Sequence, residues 1–133
     1  MFEYRIEGRD FQPVLKKWWE GQDFVVLTEE LLPNRIFVAS LNGVDFYAIP
    51  VYATDSAFAW MGFPTANPEI KQEDKELKSS CFVYLLEQLE TCLKRDGFSR
   101  IITTSMHNSV MNNLEKRDFL KVDEGTNFFI KIV

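Results

Sequence analysis

Apolar positions along this chain follow two periods, and the changes between them mark out its elements. Residues 2–6 alternate, with Phe2, Tyr4 and Ile6 on one side, which predicts a first strand. Phe11, Val14, Leu15, Trp18 and Trp19 then recur at helical spacing. Asp10 stands where a cap belongs, Pro13 falls in the first turn, where its missing N–H costs little, and Gly21 closes the helix. Residues 23–33 read two ways: Val25, Val26 and Leu27 as a short strand, 28–32 as a helical turn, with Pro33-Asn34 as a break. From residue 35 the pattern is that of strands. Residues 35–41 are apolar on both faces, Asn42-Gly43 is a strong hairpin signal, and 44–54 return. Pro50 marks a bulge or an unpaired edge position in that return strand. Asp55-Ser56 turns again into 57–63, which completes a three-strand antiparallel meander.

Residues 64–78 read as a loop containing Pro64 and Pro68 and a mixed run of acids and bases. A long amphipathic helix follows, with Leu77, Cys81, Leu85, Leu89, Cys92 and Leu93 on one face and Phe82 and Leu86 widening the stripe. Ser79 and Ser80 offer side-chain oxygens to its first N–H groups. Lys94 and Arg95 suit its last turn, and Gly97 supplies a left-handed stop. A β-branched strand at 100–105, a helix at about 108–117 and a strand at 119–122 come next. Glu124-Gly125 then turns into a closing strand at 127–133. The order β, α, (α), β, β, β, α, β, α, β, β predicts an α+β or mixed α/β layer architecture in a single domain spanning residues 1–133.

Charge and cysteine content narrow the function. A net charge of −5 argues against a nucleic-acid partner, which needs a basic face to displace counterions. The same surface tolerates a cationic amine. No apolar run is long enough to span a membrane, and the first residues lack the basic-then-apolar order of a signal peptide, so a cytoplasmic location is expected. Cys81 and Cys92 lie on one helix with a rise of about 16 Å between them, beyond disulfide reach, and read as small core hydrophobes. The last strand, 128–133, is apolar enough to pair two chains as a homodimer.

Little in the sequence announces a reaction. His107 is the single histidine, so a metal site built on several imidazoles is excluded and no metal is expected. It falls just past a strand end, as an acid or base candidate or as an ordinary loop residue. Ser105-Met106-His107 and Ser79-Ser80-Cys81 lack the Gly-x-Ser-x-Gly elbow of a hydrolase, and no glycine-rich nucleotide loop occurs. Of the pair Trp18-Trp19, one ring is expected in the core and the other at a substrate or partner surface.

The element order, with a hairpin strand breaking at Phe63-Pro64 before a helix, resembles the GNAT (Gcn5-related N-acetyltransferase) superfamily. The likeness concentrates in Leu85-Leu86 through Gly97-Phe98 and in His107-Asn108 through Glu115-Lys116-Arg117-Asp118-Phe119. The latter is similar to the family's Asn…Tyr-Glu-Lys-x-Gly-Phe ending. Asp118 stands for the family's Gly and is among the few residues that tolerate left-handed angles.

The resemblance implies a mixed, mostly antiparallel sheet flanked by helices, with acetyl-CoA or another acyl-CoA in a V-shaped cleft between strands 57–63 and 100–105. Trp60, Met61, Gly62 and Phe63 would hold the cofactor arm, Ser79 and Ser80 its phosphates, and Asn108 its far end, with His107 moving protons. The implied activity is transfer of an acyl group, typically acetyl, to the amine of a small molecule or peptide. Two departures favour an alternative, a GNAT-like domain that binds a ligand or protein without reaction. The family's Gln/Arg-x-x-Gly-x-Gly/Ala loop reads Leu77-x-x-Ser80-x-Phe82 here. Leu114, which has no proton to give, takes the place of the family's acidic Tyr.

Overall fold

The computed structural model describes residues 1–105, 108–122 and 128–133. Its eight strands are β1 (Phe2–Glu7), β2 (Ile36–Leu41), β3 (Val44–Ala53), β4 (Phe58–Met61), β5 (Thr65–Ala66), β6 (Arg100–Thr104), β7 (Leu120–Lys121) and β8 (Phe128–Ile132). Among the described residues there are also three α-helices, α1 (Gln12–Glu20), α2 (Lys75–Arg95) and α3 (Asn108–Lys116). The strands form one mixed sheet in the order β1-β2-β3-β4-β6-β8-β7, with β5 also paired to β3. Every pairing is antiparallel except β4 with β6.

The expected meander is present. Asn42 (φ 51°) and Gly43 (φ 80°) both take left-handed angles, the pair a tight turn between right-twisted strands requires. Residues 35–41 are apolar on both faces because both faces are covered. Ile36, Val38 and Ala48 meet Phe11, Leu15, Trp18, Trp19 and Leu32 on the α1 side. Phe37, Ala39, Ile49 and Val51 meet Phe82, Leu85, Leu86 and Leu89 of α2 on the other, with Leu114 and Phe129 in the same cluster. Gly97 (φ 95°) ends α2 and Asp118 (φ 64°) turns the chain after α3, both left-handed as the sequence requires.

Several local expectations are corrected. Asp10 makes no cap. A single 3-10 turn at Arg9–Phe11, closed by the Phe11 N–H on the Gly8 carbonyl at 3.1 Å, draws Asp10 inside it and leaves Phe11 at the helix entry. Both tryptophans are buried, not one. Val25, Val26 and Leu27 form no strand, and the segment carries only a 3-10 turn at Glu29–Leu31. The loop expected at 64–78 contains β5 and another 3-10 turn, and α2 starts at Lys75. Lys75, Glu76, Leu77 and Lys78 are strong helix formers, so the helix runs through Ser79 and Ser80, which become interior positions. Finally, β8 is no free edge: β6 flanks it on one side and β7 on the other, because the turn at Asp118 lays Leu120 and Lys121 beside Ile130 and Phe129.

Candidate functional site at the splayed strands

The parallel pair β4 and β6 runs in register from Phe58 opposite Arg100 to Met61 opposite Thr103, and there it stops. At that last step the buried Thr103 hydroxyl donates to the Met61 carbonyl at 2.8 Å. Beyond it the chain after β4 turns toward β3, while Thr104 of β6 stays paired to β8. The two strands part at their carboxyl ends, where open sheets with parallel strands bind ligands.

A bulge drives the parting. Between the pairs Val51–Met61 and Ala48–Thr65, three residues (Gly62, Phe63, Pro64) stand against two (Ile49, Pro50). The Gly62 N–H donates to the Pro50 carbonyl at 2.7 Å, while the Val51 N–H points the other way, to Arg35. The nitrogen of Pro50 therefore faces the bulge, where its lack of a donor breaks no ladder bond. A Cβ on Gly62 would come within 3.0 Å of the Pro50 ring and 3.1 Å of its carbonyl, so glycine is required for the approach. Among the described residues no acceptor takes the Phe63 N–H. The Phe63 carbonyl accepts from the Thr65 hydroxyl at 3.3 Å, and that hydroxyl accepts from the Trp19 indole N–H at 3.0 Å. This chain locks the bulge to α1 and gives the second buried tryptophan its polar partner.

On the α1 side of the bulge lies a cavity of about 270 Å³ lined by Trp19, Leu27, Pro50, Tyr52, Trp60, Gly62 and Phe63. Tyr52 pairs with Trp60 across the strands, and Pro50 and Gly62 follow two residues along, so these positions share one face. The Tyr52 hydroxyl donates to the Leu31 carbonyl at 2.8 Å and so fastens the 3-10 turn at Glu29–Leu31 beside the cavity. Burial raises the Tyr52 pKa, which keeps the phenol protonated at neutral pH.

Of the residues expected to hold a cofactor arm, Trp60, Gly62 and Phe63 do meet at the bulge, with Phe63 exposed. Met61 points to the opposite face and its side chain is core. Tyr52 and Leu27 went unrecognised in the sequence, whereas Pro50 was expected at a bulge and one ring of Trp18-Trp19 at a substrate or partner surface, a place Trp19 takes in the cavity wall. The i, i+2 match of Pro50 and Tyr52 with Gly62 and Trp60 in adjacent strands was the available signal.

The other side of the site is made by α2 and α3. With α2 starting at Lys75 and Asp74 at the cap, its free first-turn N–H groups belong to residues 75–77. The Ser79 hydroxyl donates to Asn113 Oδ1 at 2.8 Å, tying α2 to α3, and Ser80 is exposed. Phe82, aligned with a family glycine, lies deeper in the helix with its ring 5.2 Å from that of Tyr47, fully buried. It obstructs nothing at the helix start. Asn108 opens α3, Leu114 is fully buried, and His107 lies outside the described residues. Burial pushes the Cys81 thiol up to about 12, which removes it as a nucleophile. Among the described residues no group of three metal-ligating side chains occurs, and no helix is long and apolar enough to cross a membrane.

Splayed parallel strands, a bulge at the parting and a helix starting beyond it define the fold of the GNAT acetyltransferases. Solved structures agree. The chain superposes on a GNAT-family acetyltransferase from Staphylococcus aureus Mu50 with a TM-score of 0.75 and 11% identity, covering 99% of each chain. With Ard1 from Thermoplasma volcanium the TM-score is 0.73 at 9% identity, over 99% of this chain and 97% of that one. With yncA, a putative acetyltransferase from Salmonella typhimurium solved with acetyl-CoA, it is 0.67 at 11% identity, over 98% and 93%. No family model and no curated protein matches the sequence. The protein therefore has the GNAT fold at a sequence distance where the fold alone is shared.

Proposed function

We propose that the protein is an acyl-CoA-dependent N-acyltransferase that moves an acetyl or similar group to an amine. The parting of β4 and β6 at Met61 and Thr103, with the Phe63 N–H directed to no acceptor among the described residues, carries this reading. A thioester arm lying along the bulge would find that N–H ready for its carbonyl oxygen. The yncA structure, which has this fold, contains acetyl-CoA.

The residues fit the arm better than the phosphates. Backbone at Gly62 and Phe63 is held rigidly by Pro50, Thr65 and Trp19. For the phosphates there are the free N–H groups of residues 75–77, the charges of Lys75 and Lys78, and the exposed Ser80. The Ser79 hydroxyl proton is already given to Asn113, so Ser79 acts by fixing α3. Asn108, first in α3, is assigned to the far end of the cofactor and His107 to proton transfer through water.

In the reaction the acceptor first loses a proton to water. Its nitrogen lone pair then forms a C–N bond to the thioester carbon, with the oxyanion on the Phe63 N–H. Collapse breaks the C–S bond as the nitrogen gives its remaining extra proton to water, and the thiolate leaves and takes a proton from solvent. Rate would come mostly from placement and from that preorganised dipole.

The buried Leu114 at the family's acid position favours a second reading, a domain of this fold that binds its ligand without reaction. Calorimetric titration with acetyl-CoA, CoA and dephospho-CoA, followed by an assay for released thiol, separates the two. Micromolar binding with amine-dependent thiol release supports transfer, binding without release supports the second reading, and no binding up to millimolar overturns both cofactor roles.

A further inference from the structure

We infer that the acceptor is a small amine carrying a single apolar group, an aromatic ring or a branched alkyl chain, which enters the cavity beside Gly62. This rests on the acyl-transfer reading above and names the substrate class of that site. Three observations converge on it.

The first is chemical. None of the seven lining residues is charged, and four of them (Trp19, Tyr52, Trp60, Phe63) are large aromatics. The polar atoms of two are already committed: the Trp19 N–H to Thr65 and the Tyr52 hydroxyl to Leu31. A sugar hydroxyl or a carboxylate entering here gives up water for a wall of rings and alkyl groups with no charged side chain, at a cost on the order of tenfold or more in affinity per unpaired group.

The second is size. About 270 Å³ lies just below the range of cavities for drug-sized ligands, about 300 to 1,000 Å³. One ring with a short chain fills it, and a polycyclic or oligosaccharide acceptor does not.

The third is placement. Gly62 and Phe63 belong both to the cavity wall and to the bulge, so an apolar group packed on the paired side chains of Trp60 and Tyr52 keeps a short aminoalkyl chain beside the bulge. The net charge of −5 raises the local concentration of the protonated amine without any specific carboxylate in the wall.

The experiment compares 2-phenylethylamine and 3-methylbutylamine with glycine, spermidine and kanamycin as acceptors for acetyl-CoA, read as thiol release. It also follows tryptophan fluorescence on adding each amine alone, since Trp19 and Trp60 line the cavity. Leu27→Lys places a charge in the wall from a half-buried loop position, and Leu27→Met keeps it apolar. Acetyl-CoA affinity and melting temperature check that both variants fold.

The expected result is at least tenfold higher kcat/KM for the two apolar amines than for the three polar ones. Saturable fluorescence change should be confined to the apolar pair. Leu27→Lys should reduce both effects tenfold, with Leu27→Met restoring them. Preference for a polar amine, or a preference indifferent to Leu27→Lys, overturns the inference and leaves acyl transfer standing. Failure of acetyl-CoA to bind overturns the transfer reading itself, whatever the amines do.

Discussion

The Thr103 hydroxyl on β6 bridges to the Met61 carbonyl on β4 at 2.8 Å, at the last step where the two parallel strands remain paired. The bond closes the apex of the cleft with a side chain where the backbone ladder ends. Thr103→Val keeps the shape and removes the donor, so a buried carbonyl loses that partner. The expected loss of stability is about 1–3 kcal/mol, read as a lower urea midpoint with unchanged m. Acetyl-CoA affinity should fall with it, because the angle between the strands is no longer pinned.

Gly62→Ala tests the bulge. Its Cβ would press on the Pro50 ring at 3.0 Å, the Pro50 carbonyl at 3.1 Å and Tyr52 Cε1 at 3.2 Å, all in a tightly built wall. Overpacking of this kind costs about 1–3 kcal/mol. Thermal denaturation measures that cost, and cofactor titration should show a larger proportional loss than for Ser80→Ala, which removes one exposed hydroxyl from the proposed phosphate site and leaves the bulge intact.

A buried charge cluster holds the far side of the sheet. Glu90 of α2 accepts two bonds from Arg117, at 2.9 and 3.1 Å, and pairs with Lys131 of β8 at 3.3 Å, while Lys131 also donates to the Arg117 carbonyl. Removing the carboxylate takes away the one partner the two cations share, and leaves Arg117 only the half-exposed Glu87 at 3.4 Å and Lys131 only the exposed Asp118 at 3.9 Å. Glu90→Ala should therefore destabilise by about 3 kcal/mol, toward the lower end of its range because Arg117 keeps 30% exposure. Because β6 stays paired through β8, hydrogen exchange should rise first in β8 and α3.

Cys81 gives a pH signature. Burial raises its pKa from 9.0 to about 12, so the folded state favours the neutral thiol. Its contribution to stability is complete below pH 9 and is lost as pH rises from 9 towards 12, with a slope approaching about 1.4 kcal/mol per pH unit. At pH 8 native protein should leave Cys81 unmodified by iodoacetamide, and modification should track unfolding in urea. Rapid labelling of the native thiol would contradict the burial.

Local periodicity made much of this readable. Asn42-Gly43, Gly97 and Asp118 each adopted the left-handed geometry that their residue types favour, and the Leu85-Leu86-Leu89 stripe found the sheet. The start of α2 was misplaced because serines at 79 and 80 look like caps. Helix propensity at 75–78 overrode that signal. The strand expected at Val25, Val26 and Leu27 failed because no neighbouring strand is placed to pair with it, and Leu27 instead lines the cavity.

The sequence by itself determined the order of elements, the meander, the two-faced burial of the central strands and the absence of the family's glycine loop. These depend on neighbours within a turn or a hairpin, where residue type and spacing act directly. Only the tertiary structure decided that Thr103 meets Met61, that Trp19 reaches Thr65, and that Tyr52, Trp60 and Leu27 enclose one cavity. Thr103 and Met61, and Trp19 and Thr65, lie more than forty positions apart, and their meeting follows from sheet register and from how the bulge that Pro50 marks is seated against α1, which local spacing does not encode.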